Sequence, residues 1–243
     1  MALKSTDVSQ RGRRRGDHPP TVAPPAAHGL RADARRSRQQ ILAAARAVFV
    51  DRGTDAPLDE VARRAGVGNA TLYRHFPDRQ ALLRAVMLEV FLEVGREARL
   101  ALTQERNALH ALGRYMHGAL DSRIGTIMPA LVGLVPLDQE ITRARDDLTE
   151  SVHRMLARAH ADGSLRPDVV FGDIGLVLSR FSRPLPGPLP PELDIGLAHR
   201  HLDLVVDGLR ALPGRTRGTL RGPALTLEDL RARSHGSESH ELD

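Results

Sequence analysis

The chain has 243 residues and a net charge of +5, a length that predicts one compact domain or two small ones. It has no cysteine, which excludes disulfides, zinc–thiolate sites, iron–sulfur clusters and thiol nucleophiles. Aromatic residues make up only 3% and tryptophan is absent, so the core must be aliphatic, which favours packed helices over a β-sandwich. No apolar run reaches the ~18 residues of a membrane span, and the basic N-terminus lacks the apolar segment of a secretory signal. We therefore expect a soluble, cytoplasmic protein with no membrane partner.

Positive charge is concentrated near the N-terminus. Residues 1–80 contain 15 Lys and Arg against 8 Asp and Glu, whereas residues 81–243 contain 20 against 22. This asymmetry favours contact between the N-terminal part and a polyanion such as nucleic acid. A basic tail that only adds solubility is the alternative, because residues 1–30 supply five of the 15 cations.

The first predicted element is an arm without regular structure. Residues 1–30 are basic and then rich in proline and alanine, with no periodic apolar face, which predicts disorder. Such an arm can track phosphates or enter a minor groove, or it can be an extension that never contacts DNA. Both interpretations stay open.

Three short helices are predicted next, over about 35–52, 57–65 and 69–75. Their apolar residues recur at three- and four-residue steps, and Gly53 ends the first helix. The second and third are joined by the glycine turn 66–68. Two helices joined by a tight turn are typical of a helix-turn-helix, which lays its second helix in the major groove of DNA.

The rest of the chain also predicts helices, which makes the fold all-α. A long fourth helix starts at Pro77 and Asp78, and no β alternation of useful length is present. Residues 213–243 are predicted to be a flexible C-terminal tail, with one helical turn near Leu225–Arg231. The intervening helical or apolar segments are 105–124, 127–134, 137–162, 168–182 and 192–211.

The turn and third helix also carry a recognisable motif. Residues 61–76 read VARRAGVGNATLYRHF, and residues 77–83 read PDRQALL. This run closely resembles the N-terminal domain of the TetR family of transcriptional regulators, and the resemblance covers about residues 35–90. Beyond residue 90 the chain resembles the family only in its helical layout.

The resemblance implies a fold and a function. It implies a helix-turn-helix DNA-binding domain at 31–77, followed by a helical effector-binding and dimerisation domain at 78–212. The function it implies is a homodimeric regulator, most simply a repressor, that binds a palindromic operator in double-stranded DNA and is released by a small-molecule effector. It implies no cofactor and no catalytic site.

The same resemblance assigns roles to residues of the third helix. Thr71, Tyr73 and His75 stand where the family contacts phosphates, and Asn69, with its neighbours Gly68 and Ala70, stands where the family reads base edges. Pro57 departs from the family, which often has Ser or Thr there. Because Gly68 and Ala70 have little hydrogen-bonding reach, specificity is expected to depend on Asn69, Arg64, Arg74 and DNA shape.

Each of these residues also has a purely structural interpretation. Tyr73 could be a core aromatic, His75 a helix cap, and Asn69 chiefly the N-cap of the third helix. Arg64 could be an ordinary solvated charge.

The family layout also predicts a pocket and a dimer interface. Effector-pocket residues are expected among the central helices, and about half of the positions named are expected to be structural. The predicted pocket residues are Met87, Phe91, His110, Arg114, Tyr115, His117, Met128 and Leu131. Apolar periodicity of the last two helices predicts the interface residues Leu178, Leu202, Val205, Val206 and Leu209.

Metal and enzyme functions are weakly supported. The pairs His110/His117 and His153/His160 are two helical turns apart, roughly 10.5 Å, which is too far for two ligands of one ion. No nucleophile or phosphate-binding motif is present. Two non-enzymatic hypotheses stay open beside the effector-controlled regulator. One is an effector-independent DNA-binding protein, and the second is a helical ligand-binding or adaptor protein with an inert DNA head.

Overall fold

The computed structural model describes residues 25–212 and 219–229, and every regular element within them is an α-helix. Residues 1–24, which form most of the predicted arm, lie outside the described residues. No helix in the described ranges is both long and apolar enough to cross a membrane. In chain order the described helices are α1 (Pro25–Arg52), α2 (Leu58–Arg64), α3 (Asn69–His75), α4 (Arg79–Gln104), α5 (Ala108–Asp121), α6 (Ile124–Leu131), α7 (Gln139–Ala161), α8 (Phe171–Phe181) and α9 (Pro191–Leu209).

The chain divides into two compact units, residues 1–36 and 37–243. Within the first unit, α1 already begins at Pro25, so the prediction of disorder is wrong for residues 25–30. The prediction placed the helix start where apolar periodicity begins, but alanine and leucine extend a helix without such a face. The boundary predicted between residues 77 and 78 falls inside the second unit, between α3 and α4.

Polar side chains fix where three of the long helices begin. Asp78 accepts a hydrogen bond from the Ala81 N–H at 2.7 Å and thereby caps α4. Asn107 caps α5 in the same way, and Asp138 accepts from two N–H groups of α7. Each cap satisfies backbone donors that a helix end otherwise leaves unpaired, at roughly 1 kcal/mol per cap. The predicted start of α4 at residues 77–78 agrees with the structure, in which Asp78 is the N-cap and the helix begins at Arg79.

The core of the second unit is built around α4. This helix packs against α5 and α7, and it buries eleven residues that range from Leu82 to Leu102. Side chains of α1, α2 and α3, among them Ile41, Val61 and Leu72, belong to the same continuous hydrophobic cluster. The helix-turn-helix and the C-terminal helices therefore share one core.

The helices α6 and α8 approach each other very closely at Gly125. A Cβ atom at Gly125 would overlap the carbonyl group of Leu178 in α8. The Ser179 hydroxyl donates to the Gly125 carbonyl at 3.1 Å, and both Arg123 and Thr126 donate to the Ser182 carbonyl. Only glycine allows this crossing, because any side chain would push the two backbones apart.

Residues 219–229 are not a free tail. The Leu220 N–H donates to the Asp168 carboxylate at 3.0 Å, and the Leu225 carbonyl accepts from Gly172 at the start of α8 at 3.0 Å. The neighbouring Arg166 guanidinium, together with the Leu220 N–H, holds the pKa of Asp168 well below its usual range. The predicted helical turn is present at 227–229.

Replacing Gly125 by alanine tests the close crossing. Gly125→Ala should lower the free energy of unfolding by about 2 kcal/mol or more, because the added methyl group meets backbone atoms that cannot move away. Urea unfolding followed by far-UV circular dichroism measures this loss. Gly118→Ala in α5 is the matched control, since its Cβ would make only ordinary contacts with Glu97 at 3.6 Å. It should be neutral or stabilising, and an equal loss in both variants would contradict the close approach.

Candidate nucleic-acid interface and internal cavity

The turn between α2 and α3 is short because Gly66 adopts a positive φ of 68°, which side-chain-bearing residues rarely take. The Val67 N–H then donates to the Ala62 carbonyl at 3.0 Å. Leu72 of α3 is buried together with Val61 and Ala62 of α2. One face of α3 is thus fixed to the core, which leaves its other face at the surface.

The predicted DNA-contacting residues lie together on α3 and at the end of α2. Tyr73 is 47% exposed, so the interpretation of it as a core aromatic is wrong. Thr71 and His75 are half-buried. The exposed members of the set are Arg64, Gly68, Asn69, Ala70, Tyr73 and Arg74.

Asn69 does not cap α3. It is the first residue of that helix, and Gly68 occupies the N-cap position without a side-chain bond, so the N-cap interpretation is wrong. The Asn69 side-chain amide donates to the Asp59 carboxylate of α2 at 3.0 Å. Because a carboxylate only accepts, the amide NH2 must face Asp59, and the Asn69 carbonyl oxygen remains an acceptor at the surface.

The arginines around α3 differ in their pairing. The Arg64 guanidinium lies 2.7 Å from the Asp51 carboxylate of α1. Arg38 lies over the ring of Phe76, with 5.2 Å between its guanidinium carbon and the ring centroid. Arg74 is exposed and forms no ion pair with any residue in the described ranges. Arg74 is therefore the cation of α3 that is available for a phosphate.

His75 is held in an environment that disfavours its charged form. Its Nε2 atom is buried and has no hydrogen-bond partner among the described residues. Burial lowers the pKa of His75 below its ordinary value, and the positive charges of Arg74 and Arg38 lower it further.

A cavity of about 700 Å³ lies among the central helices of the second unit. Side chains from α4, α5, α6, α7 and α8 line it, and Leu227 of the C-terminal segment completes the wall. Most of the lining is apolar, with a few polar groups between the apolar side chains. This is the composition expected of a small-molecule site.

Four of the eight predicted pocket residues lie at the cavity. Met87, Phe91, Tyr115 and Met128 line it. The remaining four positions do not line the cavity. Leu131 is fully buried in the core, His110 and Arg114 face solvent, and His117 contacts α9.

Sequence reasoning missed the cavity residues of α7. Arg145 and Thr149 line the cavity beside Leu148. Arg145 stands one helical turn after Ile141 and three residues before Leu148, on the apolar stripe of the helix. The charge of Arg145, which interrupts the apolar stripe of α7, is the sequence signal that could have identified this wall of the cavity.

Two family models match the chain. The model described as bacterial regulatory proteins, tetR family, matches residues 41–86, which cover α2, α3 and the start of α4. The model described as transcriptional regulator SbtR-like, C-terminal domain, matches residues 107–211, which form the walls of the cavity other than α4 and the C-terminal segment.

Named relatives and solved structures agree with these models. The HTH-type transcriptional regulator Rv2250c of Mycobacterium tuberculosis is 31% identical over 132 residues, which are 52% of this chain and 68% of the relative. The crystal structure of a TetR transcription regulatory protein from Mycobacterium vanbaalenii is 31% identical, with a TM-score of 0.53, over 75% of this chain and 99% of that one. The chain belongs to the TetR family.

Two further relatives match different fractions of the chain. The HTH-type transcriptional activator FasR of Mycolicibacterium smegmatis is 36% identical over 110 residues, so the match spans 44% of this chain and only about half, 49%, of FasR. The structure of LfrR from Mycobacterium smegmatis in complex with proflavine has a TM-score of 0.52 and 25% identity, over 73% of this chain and 99% of that one.

The predicted interface residues pack within the chain. Leu178, Leu202 and Leu209 are buried within the chain, and Leu178 lines the cavity. Val205 and Val206 are half-buried against the core. Apolar periodicity identified the inward face of α8 and α9, so this prediction is wrong for the three buried leucines.

His117 and His199 join α5 to α9 instead of reaching the cavity. Their Nδ1 atoms are 2.8 Å apart, and their Nε2 atoms contact Asp203 and Asp121 at 3.0 and 2.8 Å. The ring centroids are 5.0 Å apart, and the ring planes are 17° from parallel. Because carboxylates only accept, each Nε2 must donate, and the Nδ1 contact needs one more proton. The four groups are fully paired when the two rings share three protons.

The environment of His75 predicts an acid sensitivity. Because its pKa in the folded chain lies below 6.5, the unfolded chain takes up the proton first as the pH falls. Stability should be independent of this group above pH 6.5 and should decline as the pH drops from 6.5 through the lowered pKa. Urea midpoints at about pH 7.5 and about pH 5.5 measure the decline. His75→Gln, which cannot titrate, should show a smaller difference between the two midpoints, and an unchanged difference would contradict the assignment.

Proposed function

We propose that this TetR-family protein is a sequence-specific transcriptional regulator that acts in the cytoplasm as a homodimer on a palindromic operator. Repression with release by a small-molecule effector is the form we propose. The observation that carries the proposal is the outward face of α3, where Asn69, Tyr73 and Arg74 are exposed while Leu72 anchors the helix in the core. That face has the size and polarity to enter a major groove.

Different residues of α3 suit different parts of DNA. Arg74 and the Tyr73 hydroxyl suit phosphates, since both are exposed and polar at the surface. The free carbonyl oxygen of Asn69 can accept a hydrogen bond from the amino group of adenine or cytosine in the major groove. The Asp59 contact holds Asn69 in place, which reduces the entropy lost on binding. Thr71 and His75 then lie near the DNA phosphates, and Gly68 and Ala70 lie beside Asn69 at the base edges. Arg64 must break its ion pair with Asp51 to contact DNA.

An exposed apolar face of α8 and α9 supports the homodimer. Leu204 is 65% exposed and Leu193 is 50% exposed. Because the two are eleven positions apart, close to three helical turns, both lie on one side of α9. Leu176 of α8 is exposed as well. We place the dimer contact on this outward face, which leaves Val205 and Val206 as its flank. Burial of such leucines in a two-fold interface removes apolar surface from water.

The cavity supports an effector. It is large enough for a drug-sized molecule, and Met87 and Phe91 of its wall belong to α4, which directly follows the DNA-binding helices. The relative LfrR has been crystallised with proflavine, a small molecule. An effector would release DNA only if it binds the DNA-free arrangement of the dimer more tightly than the DNA-bound one.

Substitution of Arg74 tests the recognition surface. Fluorescence anisotropy with DNA from upstream of the gene, near physiological salt and with scrambled competitor, should show tight binding by the unaltered chain. Arg74→Ala should weaken it about tenfold and reduce the salt dependence, because a phosphate contact is lost. Arg154→Ala on α7 removes the same charge from an exposed position away from α3 and should have little effect. Equal losses in both variants would mean that only net charge matters.

Substitution of Leu204 tests the proposed dimer contact. Leu204→Asp should shift the chain from dimer to monomer in sedimentation equilibrium, because it places a charge in the centre of the apolar contact. Leu92→Asp on α4, at another exposed leucine, is the matched control and should remain dimeric. A Leu204→Asp protein that stays dimeric would move the interface elsewhere.

A further inference from the structure

The cavity wall contains a tyrosine hydroxyl without a partner. The Tyr115 side chain lines the cavity, and its hydroxyl makes no hydrogen bond to any described residue. The other two hydroxyls of the lining have already donated. Thr149 donates to the Arg145 carbonyl at 2.8 Å, and Ser179 donates to the Gly125 carbonyl at 3.1 Å. Among the hydroxyls of the lining, the Tyr115 O–H is therefore the one that a ligand acceptor can satisfy.

The charges of the cavity wall are balanced without a ligand. Arg145 is the charged side chain of the lining, and its guanidinium contacts one carboxylate oxygen of Asp146 at 3.1 and 3.2 Å. No aspartate or glutamate of the described residues lines the cavity. Burial raises the pKa of Tyr115, so its hydroxyl stays neutral. A charged ligand in the cavity would therefore have no uncompensated opposite charge to pair with. Burial of an unpaired charge is strongly unfavourable.

The remaining wall is apolar and partly aromatic. Phe91 and Phe171 offer ring faces, Met87 and Met128 offer polarizable sulfur atoms, and Leu148 and Leu178 complete the surface. Such side chains pack well against flat ring systems, because aromatic pairs and sulfur–aromatic contacts add to the burial of area.

We propose that the effector is an uncharged, largely apolar ring compound that places one hydrogen-bond acceptor, such as a carbonyl oxygen, on the Tyr115 hydroxyl. This inference rests on the proposed function in one respect, that the cavity is the effector site. Specificity follows from this hydroxyl: a ligand without an acceptor leaves it unpaired, whereas a ligand with an acceptor satisfies it.

Three fluorescent probes of different charge test the proposal on the purified full chain. Nile red is uncharged and carries a carbonyl, proflavine is a cation, and 1-anilinonaphthalene-8-sulfonate is an anion. Titration by fluorescence should show that Nile red binds at least about tenfold more tightly than either charged probe. Gly175→Leu should abolish this binding, because Gly175 lines the cavity and a side chain there meets open space.

Tyr115→Phe isolates the proposed hydrogen bond. It removes only the hydroxyl and should weaken Nile red binding about three- to tenfold, with an unchanged urea midpoint as the check on folding. Tyr73→Phe removes the same atom from the surface of α3 and should leave Nile red binding unchanged. Unaltered Nile red affinity in Tyr115→Phe would overturn the proposal. Tighter cavity binding of a charged probe, lost in Gly175→Leu, would also overturn it.

These measurements contain no DNA, so they are independent of the regulator proposal. Loss of the Nile red pattern with intact operator binding would refute only the ligand chemistry. Absence of operator binding with the Nile red pattern intact would refute only the regulator.

Discussion

The structure depends on the burial of α4. This 26-residue helix begins at the Asp78 cap, directly after the helix-turn-helix, and it continues between α5 and α7. Its residues Leu82 and Val86 belong to the core that also holds α1, α2 and α3, while Met87 and Phe91 line the cavity. Neighbouring positions of one helix thus contact the core of the helix-turn-helix and the cavity, so a change at either place must be accommodated by the same helix.

Ion pairs connect α4 to α1 and to the start of α7. Arg46 of α1 contacts Glu89 and Glu93 at 3.3 and 2.7 Å. Arg84 contacts Asp138 and Glu140 at the start of α7 at 2.6 and 2.8 Å. Desolvation raises the pKa of the half-buried Glu89, a partner of Arg46. Together the ion pairs connect α4 to α1 and to the start of α7 by discrete contacts, and such contacts can carry coupling along a helix.

The sequence was sufficient to predict the helix-turn-helix, because residues close together in the chain determine it. The glycine turn, the apolar residues around Leu72 and the Asp78 cap are all contained in a short stretch, and α3 spans 69–75 as predicted. The all-α fold also followed from composition and periodicity. The start of α1 at Pro25 could not be predicted in this way, because a helix without an apolar face has no periodic signal.

The cavity and the surface of α9 were harder to predict for a related reason. Leu202 and Leu204 are both apolar, and the sequence pattern alone does not show that Leu202 faces the core while Leu204 is exposed. Likewise, His117 and Tyr115 are two residues apart on α5 and point to different neighbours, α9 and the cavity. These assignments depend on how helices distant in sequence pack together. The contact of residues 219–229 with α8 is equally non-local.

In a dimeric regulator, two copies of α3 read the two halves of a symmetric site. Selection of bound sequences from a random pool of double-stranded DNA by the purified full chain tests whether this protein does so. We expect enrichment of an inverted repeat whose half-sites are about one helical turn apart, or a multiple of it. Enrichment of no motif, or of a single half-site without its symmetric partner, would contradict this expectation.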